Sequence, residues 1–230
     1  MSQNIIFQQE YLQKQKNGFL YSRNGWILFG VFVVIYSFLA FLSVQYIFTE
    51  ELYYRSLSDQ LTQQNIENLL GITSQYWWID YLLTPVLLTF KVSYTTICIS
   101  IGIILSNIEF KFKTIFKVAL LAEVVFVIGQ ILHIVNLSFH SGTLTLETVS
   151  NYYPLSVLSY FGAENVVQWL QYPLQTLNLF EVVYMVVIGW LLSKQWKEDF
   201  MESLAVVVPS YATGLLLWLV FVTFIMLQVS

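Results

Sequence analysis

Charge is what this chain has least of. Asp, Glu, Lys and Arg make up 10% of its 230 residues, against about 25% in soluble domains, and 57% of the residues are hydrophobic. So few charges cannot cover a water-soluble surface of this size. A basic nucleic-acid surface is equally out of reach, and no nucleic-acid partner is expected. Cysteine occurs once, as Cys98 within an apolar run, so no intrachain disulfide can form and cysteine usage does not reveal a compartment. One Cys and two His do not make a zinc cluster, and no metal site is expected. The chain also lacks a phosphate-cradling glycine loop, a HExxH pair and a GxSxG elbow. ATP-driven or hydrolytic chemistry within this polypeptide is therefore not expected, and neither is a cofactor. An intramembrane enzyme ranks behind the other function classes.

What the chain does have is long apolar runs. A bilayer-spanning helix needs about 20 predominantly apolar residues. Five runs meet that need: Gly25 to Thr49, Asp80 to Ser106, Ile115 to Leu137, Tyr172 to Ser193 and Ser203 to Gln228. The expected fold is all-α, a polytopic helical bundle of five transmembrane helices in one domain over residues 25–230, with interfacial amphipathic helices. Residues 1–24, Gln-rich and carrying Lys14, Lys16 and Arg23, read as a solvated cytoplasmic tail or a short interfacial helix. The first span is too long for a signal peptide and lacks a small-residue cleavage site, so it reads as a retained helix. Pro209 in the first turns of the fifth span predicts a kink.

Two stretches between spans are polar or aromatic. Thr49 followed by Glu50 and Glu51 resembles a capped helix start. Leu57, Leu61, Ile66, Leu69 and Leu70 then recur at helical spacing up to Gly71, which reads as the stop of one amphipathic surface helix. Tyr76, Trp77, Trp78 and Tyr81 fit an interfacial aromatic belt. Ser138 to Gln171 contains no Lys or Arg and is rich in Tyr and Trp, which favours turns or short helices at the interface.

The basic residues fall on alternate sides of the spans. The tail and the loops after the second and fourth spans hold three, three and two Lys or Arg, whereas the opposite side holds only Arg55. The positive-inside rule then puts the N-terminus in the cytoplasm and the C-terminus outside.

One lysine lies inside a span. Lys91 is about 11 residues into the second, roughly 16 Å deep at about 1.5 Å per residue. Two carboxylates come to a similar depth: Glu123, about 8 residues from the inner end of the third span, and Glu181, about 9 residues into the fourth. A buried ammonium needs a partner, so the three are expected to meet as a pair or triad near the midplane. Intramembrane ionisable groups often mark proton or ion pathways; the alternative is a satisfied packing cluster. Gln130, aligned with Glu123, and His133, on the flank of that face, are candidate neighbours, His133 as a satisfied interface residue. Gln175, Asn178 and Glu181 are expected to form an i, i+3, i+6 polar line on the fourth span. Thr84, Lys91, Thr95 and Gly102 share one face of the second, small and polar enough to meet other helices.

The segment Phe110-Lys111-Phe112-Lys113-Thr114-Ile115-Phe116 is a short basic, aromatic loop between two spans, and Leu177-Asn178-Leu179-Phe180 leads to Ile188-Gly189 near a helix end. In these features the chain from about Asp80 to Gln228 resembles the Yip1-domain family of five-span membrane proteins, in its bacterial form. The Tyr-Gly-Pro motif of eukaryotic members is absent, and so is the Pro that often precedes the first span in bacterial ones. Rab GTPase binding is therefore not carried over. The resemblance implies the five-span topology, the cell membrane (a bacterial inner membrane) as location, and a non-enzymatic role as scaffold or accessory subunit with membrane-protein partners. A small permease or ion-conducting subunit using the midplane charges is the alternative.

Overall fold

A computed structural model describes residues 25–139 and 144–229; the tail reading for residues 1–24 lies outside the described residues. The described chain is helical without a strand: α1 (Gly25–Tyr46), α2 (Glu50–Leu57), α3 (Gln63–Gln75), α4 (Trp78–Leu105), α5 (Phe112–Ala122), α6 (Val124–Phe139), α7 (Leu146–Asn151), α8 (Val157–Phe161), a 3-10 turn (Ala163–Asn165), α9 (Gln168–Thr176), α10 (Leu179–Trp196) and α11 (Phe200–Val229). Five helical stretches are long and apolar enough to cross a membrane: α1, α4, α5 with α6 read through, α10 and α11. The protein is an all-α, multi-pass membrane bundle.

The spans pack in a fixed order. The stretch Phe112–Phe139 is the most enclosed, 56% buried, while α1 and α11 are 17% and 22% buried. The α5–α6 span therefore sits centrally with α4, and α1 and α11 flank opposite sides. Two apolar cores follow from this. One joins Phe32 and Leu39 of α1 to Leu88 and Val92 of α4 and Leu120 and Val127 of the central span; the other joins Ile99 and Ile103 of α4 to Val118, Ile188, Leu192 and Val207. Between α4 and α11 the backbones come close: a Cβ at Gly102 would overlap Ser210 Oγ, and one at Gly214 would overlap Cys98 Sγ. Tyr94 Oη donates to the Gly214 carbonyl at 2.7 Å across the same contact. Small residues let helices approach in this way where lipid supplies no hydrophobic drive.

The boundaries correct several expectations. The first span stops at Tyr46 rather than residue 49, because Thr49 is the N-cap of α2 and accepts from Leu52 N at 3.4 Å. The surface stretch is two helices, separated at Ser58 to Thr62, and Gly71 lies within α3 instead of ending it. Open space around Gly71 leaves the helix free to continue there. The third span is interrupted at Glu123, whose N–H bonds the Leu120 carbonyl at 3.2 Å in a 3-10 step before α6 resumes. Pro209, where a kink is expected, lies inside α11, which continues as helix on both sides of it.

The largest correction concerns the fourth span. It does not begin at Tyr172: α9 ends at Thr176, Leu177 and Asn178 are extended, and a new helix begins at Leu179. Asn178 Oδ1 accepts from Glu181 N at 3.1 Å, so Asn178 is an N-cap. The break is pinned from outside the helix. Val157 N donates to Leu177 O at 2.9 Å and Leu179 N to Leu155 O at 3.1 Å, an isolated antiparallel bridge centred on Ser156 and Asn178. The expected Gln175, Asn178, Glu181 line therefore does not form, and Gln175 reaches the Ser150 carbonyl at 2.9 Å.

Candidate functional site

Lys91 projects from the fourth turn of α4 onto Glu123, its Nζ 3.0 Å from Glu123 Oε2. The Glu123 carboxylate is fully buried. The break in the central span places it, because Glu123 is the joint residue between α5 and α6. A second donor comes from α1: Tyr36 Oη donates to the same Oε2 at 2.9 Å. Glu123 Oε1 has no hydrogen-bond partner. The ammonium also lies 3.3 Å from the centroid of the Phe126 ring and 5.8 Å from that of Tyr184. A cation over an aromatic face is attracted by the ring quadrupole, by about 2 kcal/mol or more when desolvated.

Glu181 reaches the cluster by another route. It occupies the first turn of α10, where the helix dipole favours a carboxylate. Tyr211 Oη of α11 donates to its Oε2 at 2.5 Å. Tyr184 bridges the two halves, packing on Phe126 at 4.8 Å and on Tyr211 at 5.4 Å between centroids. The only ion pair that Lys91 makes among the described residues is with Glu123. Each of the five spans thus contributes one polar side chain: Tyr36, Lys91, Glu123, Glu181 and Tyr211.

Two clefts flank the ammonium. The first, about 310 Å³, is lined by Tyr36, Thr84, Glu123 and Gln130 with apolar neighbours. The second, about 200 Å³, is lined by Tyr94, Cys98, Tyr172, Glu181, Tyr211 and Trp218 among others. Lys91 lines both. Its side chain is 40% exposed beside a carboxylate at 0%. A further recess of about 370 Å³ between α7 and the 3-10 turn contains none of these groups.

Of the candidate neighbours, Gln130 lines the first cleft. His133, expected to be a satisfied interface residue, makes ring contacts with Tyr152 and Tyr153, each at 5.9 Å, but neither of its buried ring nitrogens has a hydrogen-bond partner among the described residues. Asn178 is a helix cap and not a member of the cluster. Tyr153, outside the spans, packs edge-on against Phe180 at 6.0 Å between ring centroids, and burial above all pushes its phenol up to about 12. Among the described residues no three His, Cys, Asp or Glu side chains are grouped to hold a metal ion.

Sequence reasoning identified the three charged members but not the phenols. Only the helix starts seen in the structure, Gly25 and Phe200, put Tyr36 and Tyr211 each 11 residues into their helices, roughly 16 Å along the axis at about 1.5 Å per residue. Compared with known protein families, with curated proteins and with solved structures, the chain finds no match.

Proposed function

We propose that this multi-pass membrane protein is a small permease or ion-conducting subunit that works without enzymatic chemistry, and that Lys91, Glu123 and Glu181 are its working groups. The observation that carries this reading is the position of Lys91 between two clefts, with 40% of its side chain exposed. A pair serving packing alone is best enclosed on all sides, since a charge held in a low-dielectric medium is costly wherever a partner does not cover it. Here the carboxylate is enclosed and the cation is open to both clefts. Reconstitution into liposomes tests the reading. Wild-type protein is expected to carry ion flux above that of empty vesicles, and the charge-neutral Lys91→Met, Glu123→Gln double variant is expected to lose it while keeping its elution volume and thermal midpoint. Wild-type flux equal to that of empty vesicles overturns the reading.

A second reading is a Yip1-like scaffold or accessory subunit in a cell membrane, with the N-terminus cytoplasmic. It rests on the resemblance over Asp80 to Gln228 and on the largely uncovered flanks of α1 and α11, which a membrane-protein partner could cover. Its mark is a constant set of subunits that co-purify after gentle extraction, unaffected by the double variant.

A further inference from the structure

The cluster holds one ammonium and two carboxyl groups. Other charged residues of the spans lie toward helix ends: Asp80 on α4, Lys113 and Lys117 on α5, Lys194 on α10 and Glu202 on α11. The titratable groups that face the cluster are Tyr36 from α1, Tyr153 from the segment before α8, Tyr184 from α10 and Tyr211 from α11, with Tyr94 and Cys98 of α4 along the second cleft. All of these are neutral donors or acceptors. Lys91 balances one carboxylate, and a second unbalanced charge at this depth is far less favourable than a neutral carboxyl.

Resting on the permease reading of this site, we infer that the cluster is a proton-coupled charge switch: it carries one exchangeable proton, held by the carboxyl that Lys91 does not face, and the ammonium passes between Glu123 and Glu181 as the proton changes carboxyl. The geometry offers two stations, of which the ammonium occupies the one at Glu123. Each carboxylate has a phenol of its own on Oε2, Tyr36 for Glu123 and Tyr211 for Glu181. Each lines a different cleft, and Lys91 is the residue common to both. Phe126 and Tyr184 lie beneath the ammonium, and Tyr184 stands one helical turn beyond Glu181, so a cation leaving Glu123 remains over aromatic faces on the way. The flexible four-carbon stem of lysine allows such a swing where the planar fork of arginine would not.

The step balances. At the start Lys91 is an ammonium, Glu123 a carboxylate and Glu181 a carboxylic acid. Glu181 releases its proton to water in the second cleft, Tyr36, which lines the first cleft, passes its phenol proton to Glu123 Oε2 as it takes one from water there, and the ammonium moves to Glu181. Lys91 keeps all its protons, and the cluster is neutral before and after.

Infrared spectroscopy of the protein in bilayers at neutral pH counts protonated carboxyl groups by their C=O stretch, independently of flux. Wild type should show one buried protonated carboxyl. Glu181→Gln, which keeps the shape of the side chain, should abolish it, and Lys91→Met should add a second. The diagnostic variant is Glu123→Gln: the ammonium should cross to Glu181, ionise it and remove the band. A wild type without the band overturns the switch, as does a Glu123→Gln protein that keeps it. The wild-type and Glu181→Gln spectra decide the presence of the proton even where the other variants fail to fold. Vesicles without flux alongside the expected bands would remove the permease reading and leave the switch standing.

Discussion

Glu123 meets two demands at once: it joins two helices, and it accepts from Lys91 and Tyr36 with no solvent exposure. Removing one member of a buried pair typically costs about 3–5 kcal/mol, because the other charge is left uncompensated. Lys91→Met is therefore expected to lower the thermal midpoint in detergent, and adding Glu123→Gln should recover more of the loss than adding Glu181→Gln. Tyr36→Phe removes a hydrogen bond to a charged group and should cost about 1.5–3 kcal/mol in the same assay. Equal recovery by both carboxylate variants would contradict the pairing. Lys91, Glu123 and Glu181 were legible because a charge inside an apolar run stands out. Tyr36 and Tyr211 were not, since a phenol is common in membrane helices and does not interrupt the hydropathy.

Breaks within spans were the hardest features to read. Leu177, Asn178 and Leu179 lie in a largely apolar stretch, which reads as continuous helix when hydropathy alone is followed. Asn178 and Glu181 nonetheless have the Asn-x-x-Glu spacing of a helix start, and Asn178 does cap α10. The extended break is held by its bridge to Leu155 and Val157, a contact from a distant segment that local pattern does not reveal. Asn178→Ala should cost about 0.5–2 kcal/mol, and Asn178→Ser, which keeps an acceptor, should cost less; thermal unfolding of the two variants side by side checks this. The close contact of Gly102 with α11 agrees with the small, polar face read on the second span. The depth derived for Glu181 assumed a helix from Tyr172, and its approach to the cluster arises instead from the start of α10.

Across the molecule, five spans and their order came directly from the apolar runs, and every span reaches the central cluster with one side chain. We propose a cytoplasmic N-terminus, because eight basic residues lie on one side of the spans against Arg55 on the other. In a Cys98→Ser background, Glu147→Cys should react with an impermeant reagent added outside intact cells, and Phe112→Cys and Gln195→Cys should be protected; the reverse pattern would invert the topology. The break before α10 has one more consequence. Helix α10 has 18 residues, so it measures about 27 Å, a few ångströms less than the roughly 30 Å hydrocarbon core. Its neighbours α4 and α11, at 28 and 30 residues, are long enough to tilt across a thicker layer. Because Glu181 in the first turn of α10 meets Tyr211, 11 residues along α11, α10 begins part-way through the depth of its neighbours, and α9 with the bridged break completes that crossing. That part of the crossing is interrupted backbone, held by hydrogen bonds from another segment of the chain where lipid would supply none.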